Sequence, residues 1–309
     1  MSGDKIQDLR QFVVEHPFPT DILVETIATC NLRCIMCPQE RLTRPKGRMS
    51  MELWRKIVDE VARVSPDTRL WPAVMGEPLL LGREIFEMIA YATGKGLQVH
   101  LNTNLNAYRA DMADDLFASG LQHLLIGVDG AGKEVYESIR RNGDFDRLVE
   151  NIHHVLDERE RRGLDHPVIT LQFITMGENI HEREAFVQYW KDAGKRLQLK
   201  IKPRTGWAEA VDPWFEDESP GERPRDIPCT WLLRQMTIFW DGRVPQCDGD
   251  WNGITNMGDV NDNTIAEIWM GPLKALREKH FRLEFDAEPC KSCQDWQAGR
   301  AQWVQCGDE

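Results

Sequence analysis

The chain has 309 residues, with 38 Lys and Arg against 50 Asp and Glu, a net charge of −12. That balance, without a basic block, argues against a nucleic-acid backbone or an anionic membrane as the main partner, and no apolar run reaches the length of a membrane span. Residues 1–11 are too polar for a secretory signal, so the expected compartment is the cytoplasm, where eight cysteines point to metal binding or catalysis rather than disulfides.

Strand-like and helix-like segments alternate after an N-terminal extension over 1–20. Strands are predicted over 22–28, 68–75, 97–102, 122–128, 168–174 and 197–202, and helices over 50–64, 83–95, 110–119, 143–162 and 180–193. In the first of these helices Leu53, Ile57, Val58 and Val61 recur at helical spacing behind Ser50, a good N-cap. Six β/α units imply a parallel sheet wrapped by helices, which periodicity alone leaves open or curled. The pattern breaks over 203–228, rich in Pro, Glu, Asp and Trp, which reads as a linker or covering loop. Beyond it, 234–240, the turn Asp241-Gly242 and 243–247 read as a hairpin whose two-residue turn asks for positive φ at both central positions. Thr264-Ile265-Ala266-Glu267 is a capping box opening the last long helix.

The chemistry concentrates in the cysteines. Cys30, Cys34 and Cys37 share one loop directly after the first strand. A cubane [4Fe–4S] cluster normally takes four thiolates, so three leave one iron open, as a catalytic zinc keeps a position for its substrate. Cys229, Cys247, Cys290 and Cys293 form a second set, two bracketing the hairpin and two in the pair Cys290-Lys291-Ser292-Cys293. Taken alone, that set suits a tetrahedral zinc and a complete iron–sulfur cluster equally. Cys306 is left over, as a tail residue or as a functional thiol. Eight of the 11 tryptophans lie from Trp207 onward, available either to a small core or to the wall of a substrate site.

The run Thr29-Cys30-Asn31-Leu32-Arg33-Cys34-Ile35-Met36-Cys37-Pro38 resembles the signature of the radical S-adenosylmethionine (SAM) enzymes. The resemblance implies an α/β fold, a partial (β/α)6 barrel over 21–203, joined by a linker over 204–228 to a small β-hairpin and helix domain over 229–309. It implies SAM chelated to the open iron and cleaved reductively to a 5′-deoxyadenosyl radical that abstracts hydrogen from the substrate. The second cysteine set resembles the auxiliary-cluster (SPASM) domain in its short twitch form. Gly299 stands where a further ligand would fall, so two [4Fe–4S] clusters are expected, one binding SAM and one auxiliary. Cysteine number and spacing are similar to those of the radical SAM dehydrogenases of aminoglycoside-cyclitol biosynthesis.

Further motifs extend the resemblance. Gly76-Glu77-Pro78 resembles the GGEP motif, which implies that Gly76 and Glu77 meet the amino group of SAM, with Met75 in the first glycine place. Asn102 and Asp129 follow strands, where polar groups face a ligand. Gly127-Val128-Asp129-Gly130 resembles Ser-x-Asp-Gly, with Gly127 for the serine; Asp129 is expected beside the substrate or as a helix cap. Arg140, five residues before Phe145, resembles Arg-x-x-x-x-Phe and implies a bidentate pair with the SAM carboxylate. Asn179 resembles a family asparagine near the adenosine, and Lys202 and Arg204 are candidate substrate contacts.

The function these features imply is a radical SAM oxidoreductase performing a two-electron oxidation of a polar small molecule such as a sugar or aminocyclitol. An external one-electron reductant of flavodoxin or ferredoxin type would feed it. Three alternatives stand beside this: epimerisation with the Cys306 thiol as hydrogen donor, modification of a ribosomally made peptide, and a non-catalytic iron–sulfur electron carrier. Residues 1–18 are too short for a winged-helix leader-binding domain, which favours the small molecule.

Overall fold

The computed structural model describes residues 2–208, 210–212, 225–297 and 301–307. Eight strands form its main sheet: β1 Asp21–Val24, β2 Arg69–Trp71, β3 Gln98–Thr103, β4 His123–Gly127, β5 Val168–Thr175, β6 Leu197–Pro203, β7 Gln235–Ile238 and β8 Gln302–Cys306. Their order is β8-β6-β5-β4-β3-β2-β1-β7. β1 to β6 run parallel, each paired with its neighbour in sequence, and the helices Met51–Val64, Arg83–Gly94, Phe145–Arg161 and Arg183–Asp192 fill connections between them. The predicted six β/α units are all present, as an open sheet rather than a closed ring.

Local chemistry accounts for the helices. The Ser50 side chain accepts from the Leu53 N–H at 3.1 Å and starts Met51–Val64, whose Leu53, Trp54, Ile57, Val58 and Val61 are buried. The capping box is formed in full, with Thr264 and Glu267 satisfying each other's backbone N–H at the start of Ile265–Met270. Residues 1–20, read from sequence only as an extension, contain the helix Ser2–Glu15.

The two faces of the sheet differ in kind. On β3, Val99 and Leu101 are buried in the core beneath the helices, whereas His100 packs against Trp71 and His123, with ring centroids 4.7 and 5.0 Å away. Thr170 receives the His123 ring at 2.7 Å. Burial pushes both imidazoles down to about 4, so this inner face is polar but uncharged at the two histidines. Alternation along β3 therefore sends apolar side chains to the helices and polar ones inward, whereas Leu125 and Ile174 join the inner face from the neighbouring strands.

The C-terminal hairpin and helices are present, and the hairpin's first strand has a further partner: β7 pairs in parallel with β1, Asp21 opposite Gln235 and Val24 opposite Ile238. Only Gly242 of the turn takes positive φ, +98°, and Gly242 N–H bonds to Phe239 O while Phe239 N–H bonds to Arg243 O. That is a three-residue loop, in which glycine alone needs the left-handed region. Residues 243–244 then pair with Gly258–Asp259. β8 lies antiparallel on the outer edge of β6. The small domain thus hands a strand to each edge of the main sheet.

A buried ion pair ties the halves together. Arg44 donates to both carboxylate oxygens of Glu25 at 2.7 and 2.5 Å, donates to the Trp251 carbonyl at 2.9 Å, and lies 3.9 Å over the Phe239 ring. Their side chains are 3% and 0% exposed, so neither charge has water to fall back on. Arg44→Met should destabilise the protein by about 3–5 kcal/mol, because Glu25 would be left buried without a counter-ion; urea denaturation of the two proteins measures this.

Candidate active site

Past Val24 the chain crosses the C-terminal ends of the strands and forms the loop that carries Cys30, Cys34 and Cys37. Two short pairings hold it. Arg33–Cys34 runs antiparallel to Arg140–Arg141, with Cys34 opposite Arg140, and Ile35 N–H bonds to Ile139 O at 2.9 Å. From the other side, Glu77 N–H bonds to Thr29 O at 2.9 Å. Gly76 makes that approach possible: a Cβ there would lie 1.9 Å from Ile27 O and 2.8 Å from Thr29 O.

The three cysteines are free thiols, half-buried on one pocket, and burial pushes Cys30 up to about 11 and Cys37 to about 12. Loading a metal must therefore displace protons. Among the described residues no three His, Cys, Asp or Glu side chains are drawn in to hold a single ion. The donor chemistry, thiols alone and three in number, fits an iron–sulfur cluster with one open iron.

The pocket above this loop has a volume of about 220 Å³ and reaches from the cysteines to the ends of β3, β4, β5 and β6. Asn102 lines it, and its Oδ1 is buried without a hydrogen-bond partner among the described residues. Such an acceptor is costly unless a ligand donor meets it. Asn104 donates to Asn31 Oδ1 at 2.9 Å and to Cys30 Sγ at 3.8 Å, tying the cysteine loop to the end of β3. Trp207, Lys202 and Arg204 complete the far wall. Burial lowers the pKa of Lys202, and Arg204 Nε is buried without a partner among the described residues.

Several expected ligand residues turn out to be committed to the protein. Both Glu77 oxygens are taken: Oε1 accepts from Leu79 N–H at 3.0 Å and Thr103 Oγ1 at 2.7 Å, and Oε2 from Asn104 N–H at 2.8 Å. Burial raises its pKa, so a neighbouring cation would gain a strongly desolvated partner. Asp129, at φ +57° and fully buried, is not a cap for the following helix, whose N-cap is Gly132. It accepts from Ile174 N–H at 2.6 Å and from Arg140 Nε at 2.8 Å and Nη2 at 2.6 Å. The serine missing at Gly127 is explained there: a Cβ would meet Arg140 Nη2 at 2.0 Å. Arg140 Nη1 also lies 3.9 Å from Cys34 Sγ. Asn179 is fully buried beneath this pair, bonding Asp129 O, Ile174 O and Met176 N–H at 2.9–3.0 Å, and does not line the pocket.

The second cysteine set lies alongside. Cys229, Cys247, Cys290 and Cys293 are all free, and burial pushes Cys290 to about 11 and Cys293 to about 12. Asp295, two residues beyond Cys293, accepts from the Gly206 and Ala208 N–H groups, the first at 2.5 Å and the second at 3.0 Å. The loop so held carries Trp207 into the pocket and packs Ala208 against Gly249, whose Cβ would be 3.7 Å from Ala208 Cβ and 3.5 Å from Cys247 Sγ. His280 and Gln246 reach Cys290 Sγ at 3.3 and 3.2 Å. Neither carried a sequence signal, since a lone histidine or glutamine has no motif. Of the tryptophans, Trp207 faces the pocket and Trp269 is core, whereas Trp214, like Gly299, lies outside the described residues.

Cys306 is not brought to this site. It is a buried strand residue, not a loose tail, and sits opposite Leu197 at the first residue of β6. The cysteine loop lies at the other ends of the strands, so the thiol is a sheet length from any substrate bound there.

Comparison with known proteins places these features in context. The Radical SAM superfamily profile matches residues 24–198, and an iron–sulfur cluster-binding domain profile, SPASM, matches residues 229–294. The AdoMet-dependent heme synthase of Methanosarcina barkeri is 32% identical over 136 residues, 43% of this chain and 38% of that protein. Mycofactocin maturase MftC of Mycolicibacterium smegmatis is 23% identical over 216 residues, 70% of this chain and 52% of that protein. The chain thus spans about two-fifths to half the length of these curated relatives. A crystal structure of BtrN in complex with AdoMet and 2-DOIA superposes with a TM-score of 0.62 at 16% identity, over 89% of this chain and 93% of that one.

Gly76→Ala tests the close approach of the two loops. Its methyl group would push Ile27 and Thr29 aside, and the cysteine loop should take up several-fold less iron on anaerobic reconstitution, read as iron per chain, while Gly94→Ala, with helical backbone and open space at its Cβ, leaves iron uptake unchanged.

Proposed function

Because the chain belongs to the radical SAM superfamily, we propose that it oxidises a polar small molecule of the sugar or aminocyclitol kind by two electrons. A [4Fe–4S] cluster at Cys30, Cys34 and Cys37 would supply the electron that splits SAM, the resulting radical would take a hydrogen atom, and a cluster at the second cysteine set would take the remaining electron as a base removes the proton.

One observation carries this reading: the loop bearing Trp207 is wall to the pocket on one side and is pinned on the other by Asp295, two residues beyond Cys293. The clamp joins the pocket wall to the segment carrying Cys293, the side from which an auxiliary cluster would take the electron. Asn102 offers an acceptor to SAM, and Gly76 gives backbone access to its amino group. Arg140, anchored by Asp129, presents its guanidinium edge to the SAM carboxylate. Lys202 and Arg204, at the end of β6, are the proposed substrate contacts. Epimerisation loses its hydrogen donor with Cys306 at the far end of the sheet.

A second reading has its own support. The match to a mycofactocin maturase, which extends over 70% of this chain, favours a peptide as the substrate.

Anaerobic turnover with SAM and dithionite tests the proposal. 5′-Deoxyadenosine should form and should disappear in Cys34→Ala. In D2O, a sugar or aminocyclitol substrate should yield a carbonyl product without solvent deuterium at carbon. Turnover only with peptides, or deuterium at an inverted carbon, would replace this reading with one of its rivals.

A further inference from the structure

Cys290 differs from the other three thiols of its set in what surrounds its sulfur. The His280 side chain, on the helix Pro272–Phe281 and 1% exposed, places Nε2 3.3 Å from Cys290 Sγ. Its other ring nitrogen, Nδ1, faces the Cys229 N–H at 3.4 Å and can only accept from it. The ring proton must then sit on Nε2, directed at the sulfur. Gln246, 5% exposed, donates a second N–H to the same sulfur at 3.2 Å. A cation completes the surroundings: Arg225 donates to the Cys290 carbonyl at 3.0 Å and is held 3.7 Å over the Phe285 ring. Acidic side chains are also near. Asp295 is spent on the Gly206 and Ala208 amides, which leaves Glu288, acting on Cys290, and Asp248, beside Cys247, as the opposing charges.

Donors aimed at a ligating thiolate stabilise the more negative state of a cluster and raise its reduction potential. We propose that His280 and Gln246 are positioning residues that set the auxiliary centre as an electron acceptor, through paired N–H bonds to Cys290. This rests on the reading that the second cysteine set holds a cluster receiving the substrate's electron. It adds which ligand is tuned, by which groups, and in which direction. A sulfur with two donors stabilises added charge at its own corner, so Cys290 marks where the electron settles.

The test uses the full chain carrying Cys30→Ala, Cys34→Ala and Cys37→Ala, so that only the auxiliary centre is reconstituted. Its midpoint potential is followed by electron paramagnetic resonance during a redox titration. His280→Leu should lower the potential enough to change the oxidised-to-reduced ratio at fixed poise about tenfold, 59 mV for one electron. Gln246→Leu should move it the same way, and His280→Gln, which can return an N–H, should recover most of the loss. Unchanged potentials in both leucine variants, with iron and sulfide intact, overturn the tuning while leaving the electron-acceptor reading standing. If His280→Leu cannot hold iron, Gln246→Leu decides alone. A centre that takes zinc and refuses iron overturns the acceptor reading and this inference with it.

Discussion

The buried pair between Asp129 and Arg140 is the constraint on which the site depends. Asp129 is sealed from solvent and Arg140 meets only the pocket, so the carboxylate must be satisfied by its guanidinium partner. Arg140 is also the backbone partner of Cys34, and its guanidinium fills the space above Gly127. Asp129 in turn fixes the end of β5 through Ile174, with Asn179 fastening its carbonyl from below. One ion pair therefore sets the cysteine loop against two strand ends at once. Its left-handed backbone at Asp129 is tolerated because those bonds over-determine it.

The second organising feature is the division between the faces of the sheet. A closed eight-stranded barrel fills its interior with branched apolar residues. Here the sheet is open, and its inner face carries Trp71, His100, Asn102, His123, Thr170 and Lys202. That face is a cavity floor rather than a packed core, and the polar groups on it rise toward the strand ends that carry Cys30, Cys34 and Cys37. The Asp295 clamp then joins the floor's rim to the auxiliary domain, so the wall of the pocket is shaped by both parts of the chain.

The parts of this arrangement governed by local rules were legible in the sequence. Periodicity located all six β/α units, Ser50 and Thr264 announced their helices, and cysteine spacing separated the two cysteine sets. What could not be read depended on distant partners. Asp129 and Arg140 stand 11 residues apart and look like independent ligand residues until their pairing is seen. Glu77 and Asn179 carry family positions, yet Glu77 also holds Leu79 N–H, Asn104 N–H and the Thr103 hydroxyl, and Asn179 bonds only backbone groups among the described residues. Asp241-Gly242 signals a hairpin correctly, but nothing local says that the first strand will pair with β1. Cys306 had no periodic context, and only the β8 pairing shows it to be interior.

That last pairing bears on how the molecule comes into being. Both border strands of the main sheet, β7 and β8, are synthesised after the six-unit core, one from residues 235–238 and the other from 302–306. Until they emerge from the ribosome, β1 and β6 expose unpaired backbone that neighbouring nascent chains could cap instead. Cutting the polypeptide at the apparent module boundary would make that transient hazard permanent. The two halves are better regarded as one folding unit, in which the later portion acts as an internal chaperone for the borders of the earlier one.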